Sequence, residues 1–301
     1  MAKTLDFHLL ANWDRTSILK FFDAINQIDV RKMNLQRKIV GTLFFKSSLR
    51  TQHGFEAAAY KEGANVITFS HDQMRSGPNM SEATDDIVRI ASQMCDCLVV
   101  RFADAHDLFG CLQVTECPLI NAGNGSGDHS EHPTQVLSDL HFIWSRFGGV
   151  KNLRILLIGV GEQRVIRSML FGLATLGVNQ VWFAHSDNRP LSTKDEAKLA
   201  VRGLKVKIVS NVSASLNGFD VIYHNGIAQC GTDEEFKRLE LTLEAVSKLN
   251  DAILMHSLPR VDEFPKEFDQ LPCAAYFDQS RTANIVRRAV LADVIESSSS
   301  L

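Results

Sequence analysis

The sequence predicts an α/β fold with two domains, each a parallel sheet flanked by helices. Short apolar runs alternate with segments of helical period, which is typical of βα units. The chain has 301 residues, a length at which hydrophobic cores usually divide into two domains. Hydrophobic residues make up 45% of it and charged residues 22%, so we expect a folded globular protein.

The candidate strands fall into two series separated by a glycine-rich segment. The first series comprises residues 39–45, 65–69, 97–101 and 119–121. The second series comprises residues 153–158, 180–184, 205–209, 220–223, 252–256 and 274–277. Helices are expected between consecutive strands, because parallel strands need long crossover connections.

The domain boundary is predicted at the segment 121–128, the densest cluster of glycine and asparagine in the chain. Residues 1–128 then form the first domain and residues 129–283 the second. The last helical segment, from Asn284 to Ile295, could return to either domain on its pattern alone.

Charge, hydropathy and cysteine content exclude several classes of protein. A net charge of −3 argues against a nucleic-acid partner. The longest apolar runs are far shorter than the roughly 20 residues of a membrane helix, and the N-terminus lacks a signal-peptide pattern.

Six scattered cysteines predict reduced thiols in a cytoplasmic protein. Cys95 and Cys97 have the wrong spacing for a zinc site, so no metal is expected.

The first polar motif follows the first candidate strand. Ser48, Arg50 and Thr51 lead into residues 55–59, which are helical by composition. A helix N-terminus offers unpaired N–H groups and the positive end of its dipole, and a guanidinium adds charge. The motif therefore indicates a phosphate site. An ordinary Ser/Thr cap beside a solvated arginine is the alternative.

Two further motifs follow candidate strands or the glycine-rich segment. His132 and Gln135 flank Pro133, which suits the first turn of a helix. Residues 256–260, His-Ser-Leu-Pro-Arg, end a strand of the second series and so belong to the carboxyl edge of its sheet, where α/β proteins bind ligands. Each motif is weak alone, because a loop histidine is usually a surface residue.

Together the three motifs resemble the signature of the aspartate/ornithine carbamoyltransferase family. They read Ser-x-Arg-Thr at 48–51, His-Pro-x-Gln-x-Leu-x-Asp at 132–139 and His-x-Leu-Pro-Arg at 256–260. Their order and spacing match over most of the chain, and Arg101 and Arg164 add to the resemblance. Ser257 leans towards the aspartate branch, because the ornithine branch usually has cysteine there. The resemblance implies that residues 284–301 return to the first domain.

The resemblance also implies a reaction. The carbamoyl group of carbamoyl phosphate passes to the amino group of an amino acid, aspartate being the best single acceptor, without any cofactor or metal. The implied carbamoyl phosphate-binding residues are Ser48, Leu49, Arg50, Thr51, Arg101, His132, Gln135 and Leu258, of which Arg50, Arg101 and His132 are catalytic. The implied acceptor-binding residues are Arg164, Asn225, Gly226, Gln229, Leu258 and Pro259. A cis Leu258–Pro259 peptide and a homotrimer are implied as well.

The chain departs from the family pattern at several places. The loop 74–81 lacks the lysine of the aspartate branch, and its nearest cation is Arg75. Gly226 stands where that branch has an arginine for the side-chain carboxylate, so Arg167 or Arg260 would have to compensate. About three extra residues precede His132. These departures leave two alternatives open: a different amino acceptor, or a catalytically silent member that acts as a partner or scaffold subunit.

A dinucleotide-binding protein is a further alternative. Gly159 and Gly161 follow a candidate strand, as in the dinucleotide fingerprint. However, the third glycine is missing, and His185 rather than an acid follows the next strand. A tight turn that presents Arg164 explains the glycines equally well.

Overall fold

The computed structural model describes residues 7–29, 35–69, 75–77, 80–186, 190–227, 232–249 and 251–298. The chain forms two compact units: unit 1 comprises Met1–Ser138 and Thr282–Leu301, and unit 2 comprises Asp139–Arg281. The C-terminal residues thus belong to unit 1, as the resemblance implied. The division falls after Ser138 rather than in the glycine-rich segment, because that segment is bonded into unit 1. There the Asn124 side chain donates to the carbonyl groups of Ala105 and His129, at 3.0 and 3.1 Å.

Unit 1 contains a four-stranded parallel sheet flanked by helices. Its strands are β1 (Ile39–Phe44), β2 (Asn65–Phe69), β5 (Cys97–Phe102) and β6 (Leu119–Asn124), in the order β2-β1-β5-β6. The short strands β3 (Arg75–Gly77) and β4 (Met80–Ser81) pair antiparallel within the loop 74–81, which lacks the lysine of the aspartate branch. The helices are α1 (Arg15–Asn26), α2 (Leu49–Lys61), α3 (Thr84–Ser92), α4 (Asp107–Val114), the first part of α5 (Pro133–Phe147) and most of α10 (Tyr276–Ser298). Every residue of β5 is buried, as expected for a strand covered on both faces.

Unit 2 contains a five-stranded parallel sheet. Its strands are β7 (Ile155–Gly159), β8 (Gln180–His185), β9 (Lys205–Ile208), β10 (Val221–His224) and β11 (Ile253–His256), in the order β11-β10-β7-β8-β9. Its helices are the rest of α5, α6 (Arg164–Thr175), α7 (Thr193–Val201), α8 (Asp233–Leu239), α9 (Leu243–Val246) and the first turns of α10. In the parts of the chain described here, no helix has both the length and the apolar character needed to cross a membrane.

The predicted strand at 274–277 is wrong, whereas strands occur at the other nine predicted positions. Only Ala274 forms a bridge, to Leu254. The Ala275 N–H donates to the Leu254 carbonyl at 2.9 Å, and the Gln279 N–H then donates to the Ala275 carbonyl at 2.9 Å. This apolar run therefore makes one sheet contact and then turns into α10, which begins at Tyr276.

Each sheet has one point at which the strand order reverses. In unit 1 the chain proceeds from β1 outward to β2 on one side and from β5 outward to β6 on the other, so the reversal lies between β1 and β5. In unit 2 it lies between β7 and β10. Open α/β sheets bind ligands outside the carboxyl ends of the strands at such points. The candidate site residues should therefore follow these four strands.

Candidate active site

In unit 1, the first polar cluster follows β1. Ser48 immediately precedes α2, and its hydroxyl donates to Thr51 Oγ1 at 3.1 Å. The Ser48 side chain makes no capping bond to the helix backbone. The Leu49 side chain is apolar and 73% exposed, so the only group that Leu49 can offer an anion is its backbone N–H. The first turn of α2 thus presents N–H groups that Ser48 does not cap, together with two hydroxyls.

Arg50 lies in the same turn of α2. Its side chain is half-buried, and burial lowers the pKa of its guanidinium. Within the residues that the structure describes, no carboxylate forms a salt bridge with it. A partly desolvated guanidinium without its own carboxylate is suited to an anion from outside the protein.

Arg101 and His132 meet at the switch point of unit 1. Arg101 is buried at the end of β5, opposite Phe44 at the end of β1, so it lies on the strand beside the one that leads to α2. Its Nη1 donates to the Ala122 carbonyl at 3.3 Å and lies 3.5 Å from His132 Nε2. His132 is buried just before α5, and Gln135 is half-buried in the first turn of that helix.

The residue before His132 was missed by sequence reasoning. The Glu131 side chain is buried and accepts hydrogen bonds from the N–H groups of Leu10 and Ala11, at 2.7 and 3.2 Å. Its own N–H donates to Asn124 Oδ1 at 2.8 Å. These bonds fix the backbone that enters α5. No local signal could have found them, because Glu131 and Leu10 are 121 positions apart.

In unit 2, the second polar cluster lies at the carboxyl ends of three neighbouring strands. The Asn225 N–H donates to the Ile158 carbonyl at 2.8 Å. The Asn225 side chain donates to Gln163 Oε1 and accepts from the Ser257 hydroxyl, the latter at 2.5 Å. One asparagine therefore joins the chain segments that follow β7, β10 and β11.

The other predicted acceptor residues adjoin this asparagine. Arg164 begins α6 directly after Gln163, and burial lowers the pKa of its guanidinium. The Leu258–Pro259 peptide is cis, which confirms the expectation from the resemblance. Gly226 follows Asn225 and is half-buried. Gln229, with its neighbour Cys230, lies outside the described residues, as do the side chains of the loop 74–81.

The dinucleotide alternative is contradicted by the packing around Gly161. An ideal Cβ at this position would lie 2.4 Å from the Leu191 nitrogen and 2.4 Å from the Pro190 carbonyl carbon. The backbone at 190–191 thus packs directly on the turn that would have to approach a pyrophosphate. This glycine serves chain packing.

The described cysteine and histidine side chains form no additional reactive centre. Five cysteines are free thiols, and burial raises the pKa of Cys111 and of Cys117 to about 12, which makes them poor nucleophiles. Among the residues described above, no group of three or more His, Cys, Asp or Glu could hold a metal ion. His224 and His256 stack in the core of unit 2, and burial lowers the pKa of His224 well below its ordinary value.

Two parallel-sheet units with polar residues at the switch point of each sheet define a two-domain α/β enzyme. Comparison with known proteins identifies the family. Residues 5–145 match the family model "Aspartate/ornithine carbamoyltransferase, carbamoyl-P binding domain", and residues 151–294 match "Aspartate/ornithine carbamoyltransferase, Asp/Orn binding domain". The chain belongs to the aspartate/ornithine carbamoyltransferase family, which confirms the resemblance of the three motifs, and it is a carbamoyltransferase.

Individual relatives agree with this assignment. The aspartate carbamoyltransferase catalytic subunit of Methanosphaera stadtmanae is 33% identical over 271 residues, which cover 86% of each chain. That of Methanopyrus kandleri is 32% identical over 269 residues, covering 85% of this chain and 84% of that one.

Solved structures share the fold. The catalytic subunit of M. jannaschii aspartate transcarbamoylase has a TM-score of 0.86 at 27% identity, covering 98% of this chain and 99% of that one. Trypanosoma cruzi aspartate transcarbamoylase, in complex with carbamoyl aspartate and phosphate, has a TM-score of 0.84 at 27% identity, covering 97% and 96%.

Proposed function

We propose that this chain transfers the carbamoyl group of carbamoyl phosphate to the amino group of an amino acid, with aspartate as the best single acceptor. The products are N-carbamoyl-aspartate and phosphate. The observation that carries this proposal is the half-buried Arg50 at the start of α2, the helix that follows β1, together with the buried Arg101 on the adjacent strand β5. The relatives support aspartate, since they are aspartate carbamoyltransferases and one was solved with carbamoyl aspartate.

The proposed chemistry needs fixed positive charge rather than a covalent nucleophile. The uncharged amine attacks the carbonyl carbon, a C–N bond forms, and the C–O bond to phosphate breaks. The amine proton leaves with phosphate or solvent. Negative charge grows on the carbonyl oxygen and on the departing phosphate, so preorganised donors lower the barrier.

Unit 1 supplies these donors in the proposal. Ser48, the Leu49 N–H, Arg50 and Thr51 hold the phosphate, and Arg101 bridges it to the carbamoyl group. His132 donates to the carbamoyl oxygen, while Gln135 holds the carbamoyl amino group. The 3.5 Å separation of Arg101 Nη1 and His132 Nε2 allows one small ligand to reach both atoms.

Unit 2 supplies the acceptor residues. Arg164 grips the α-carboxylate, because an arginine–carboxylate pair is strong and geometrically specific. In this proposal Asn225, Gly226 and Pro259 line the pocket for the acceptor side chain, and Gln229 is assigned to it from the sequence alone. The Leu258 carbonyl accepts from the carbamoyl amino group. No metal or organic cofactor takes part.

A steady-state assay tests the proposal. Purified chain is mixed with carbamoyl phosphate and one amino acceptor at a time, phosphate release is measured, and the carbamoylated product is identified by mass spectrometry. We expect turnover with at least one α-amino acid. Retained calorimetric binding of carbamoyl phosphate without turnover on any acceptor would contradict the proposal and favour the catalytically silent alternative.

An acceptor other than aspartate is the second candidate, and one observation favours it. Gly226 offers no cation at the position where the aspartate branch has an arginine. A side-chain carboxylate there would be buried without a partner, which is unfavourable. The same assay, run with a panel of acceptors, ranks the two candidates.

We also propose that the chain forms a homotrimer and is located in the cytoplasm. The trimer rests on the family resemblance, and head-to-tail contacts can close such a ring. The cytoplasmic location is supported by the five free thiols. Light scattering should give three times the mass of the chain, and a monomer at micromolar concentration would contradict the trimer.

A further inference from the structure

The backbone at Gly226 brings a carboxylate to the proposed acceptor pocket. Gly226 follows Asn225 beyond the end of β10 and has a φ of +84°, in the left-handed region. An ideal Cβ at this position would lie 3.5 Å from Glu263 Oε1. The charged group next to position 226 is therefore the carboxylate of Glu263, which belongs to the same unit, and not an arginine.

Glu263 lacks a full set of hydrogen-bond donors. The residue is 3% exposed, and its carboxylate accepts from its own N–H and from the Ile227 N–H. Its Oε2 has no hydrogen-bond partner among the described residues. Burial, with a smaller contribution from Asp262, raises the pKa of the Glu263 carboxyl. A buried carboxyl oxygen without a donor is unfavourable, so a donor brought by a ligand would be stabilised there.

The two arginines that could serve a second carboxylate already hold one each. Arg167 Nε donates to Asp195 Oδ2 at 2.7 Å, and its Nη2 donates to Asp195 Oδ1 at 3.2 Å. Arg260 donates to both carboxylate oxygens of Asp269. Each guanidinium is therefore already neutralised by a carboxylate of unit 2, and a substrate carboxylate would have to share it.

We propose that Glu263 is a specificity-determining residue for the amino acceptor. It favours amino acids whose side chains bring hydrogen-bond donors, such as an amide or an ammonium group, over those that bring a carboxylate. Aspartate would place like charge beside Glu263 and would be a poorer substrate. Asparagine and 2,3-diaminopropionate would direct N–H groups at the Glu263 carboxylate, whose Oε1 lies next to Gly226. The inference rests on the second candidate of the proposed function, a carbamoyltransferase with an acceptor other than aspartate, and it assumes that the chain at 225–227 lines the acceptor pocket.

The test compares kcat/KM for aspartate, asparagine and 2,3-diaminopropionate, with the carbamoylated product identified in each case. In the native chain we expect both donor-bearing acceptors to exceed aspartate by at least about tenfold, a difference of about 1.4 kcal/mol. Glu263→Gln removes the charge and keeps the shape. It should reduce the ratio of 2,3-diaminopropionate to aspartate by about tenfold or more, with a smaller effect on asparagine.

The matched control is Asp262→Asn, which removes an exposed carboxylate from the neighbouring position. It should leave the acceptor ranking unchanged. A native chain that ranks aspartate first would overturn the inference, as would a Glu263→Gln variant that keeps the native ratio. The native ranking decides even if the variant folds poorly.

A chain without turnover on any acceptor would count against the proposed function instead. Calorimetric titration of the same three acceptors would then decide the inference by itself. Tighter binding of the donor-bearing acceptors supports it, and equal or weaker binding overturns it.

Discussion

Replacing Arg50 with alanine should weaken carbamoyl phosphate binding without harming the fold. Two unit charges 4 Å apart attract by about 4 kcal/mol at the effective dielectric constant of about 20 typical near a protein surface. Arg50 is half-buried, so water replaces part of that attraction in the variant. Hydrogen bonds to charged groups contribute about 1.5–3 kcal/mol net, so a loss of about 2–3 kcal/mol corresponds to an affinity about 30- to 150-fold lower.

Isothermal titration calorimetry with carbamoyl phosphate, or with a stable phosphonate analogue, measures this change. Arg50→Lys should fall between the native chain and Arg50→Ala, because an ammonium keeps the charge and loses the planar fork. Arg89→Ala is the matched control, since Arg89 is exposed in the last turn of α3.

Thermal stability separates binding from folding. Burial lowers the pKa of Arg50, which shows that the fold disfavours its charge. Removal of this charge should therefore leave the melting temperature unchanged or slightly raised. Native affinity in Arg50→Ala would refute the assignment of the phosphate site to α2.

Three further predictions concern unit 2. Arg167→Ala removes the arginine that pairs with the buried Asp195, so urea denaturation should show a free energy of unfolding about 3–5 kcal/mol lower than that of the native chain. A decrease below about 1 kcal/mol would contradict this. Tyr223→Phe removes a donor 2.6 Å from Asp139 Oδ2, and the same measurement should show a loss of about 1.5–3 kcal/mol. Burial lowers the pKa of His141 from 6.5 to about 4. Between these two pH values His141 is protonated in the unfolded state and neutral in the folded state, so the folded state becomes less stable as the pH falls from 6.5 to about 4. Between these pH values, the melting temperature of His141→Gln should vary less with pH than that of the native chain. An unchanged variation would show that other groups cause the loss of stability.

The sheets could be predicted from the sequence because a parallel strand buried on both faces is a continuous apolar run. Strand β5, which is buried throughout, differs from its predicted bounds by one residue. The run at 274–277 is also apolar, but Ala274 and Ala275 only contact the sheet edge, and α10 begins at Tyr276. Its single bridge, from Ala274 to Leu254, depends on a neighbour in space that no local pattern specifies.

The motif residues could also be predicted, since Ser48, Arg50, His132 and Leu258 lie in short recognisable segments. Glu131 could not, because its two donors come from the other end of unit 1. The importance of Glu263 was equally hidden, because a sequence shows neither the left-handed backbone at Gly226 nor the proximity of the two residues.

The bonds from Leu10 and Ala11 to Glu131 tie the segment at residues 10–11 to the backbone beside His132. A shortened chain that starts beyond Ala11 would leave the Glu131 carboxylate without those two donors, directly beside His132. Removal of the amino-terminal residues by a protease would also take away the buried Phe7 and Leu10 and the bonds from Asn121 of β6 to Phe7 and His8, so it should reduce both the stability of unit 1 and carbamoyl transfer. Preparations with different amino-terminal ends should be compared for specific activity before any difference in rate is attributed to the active-site side chains.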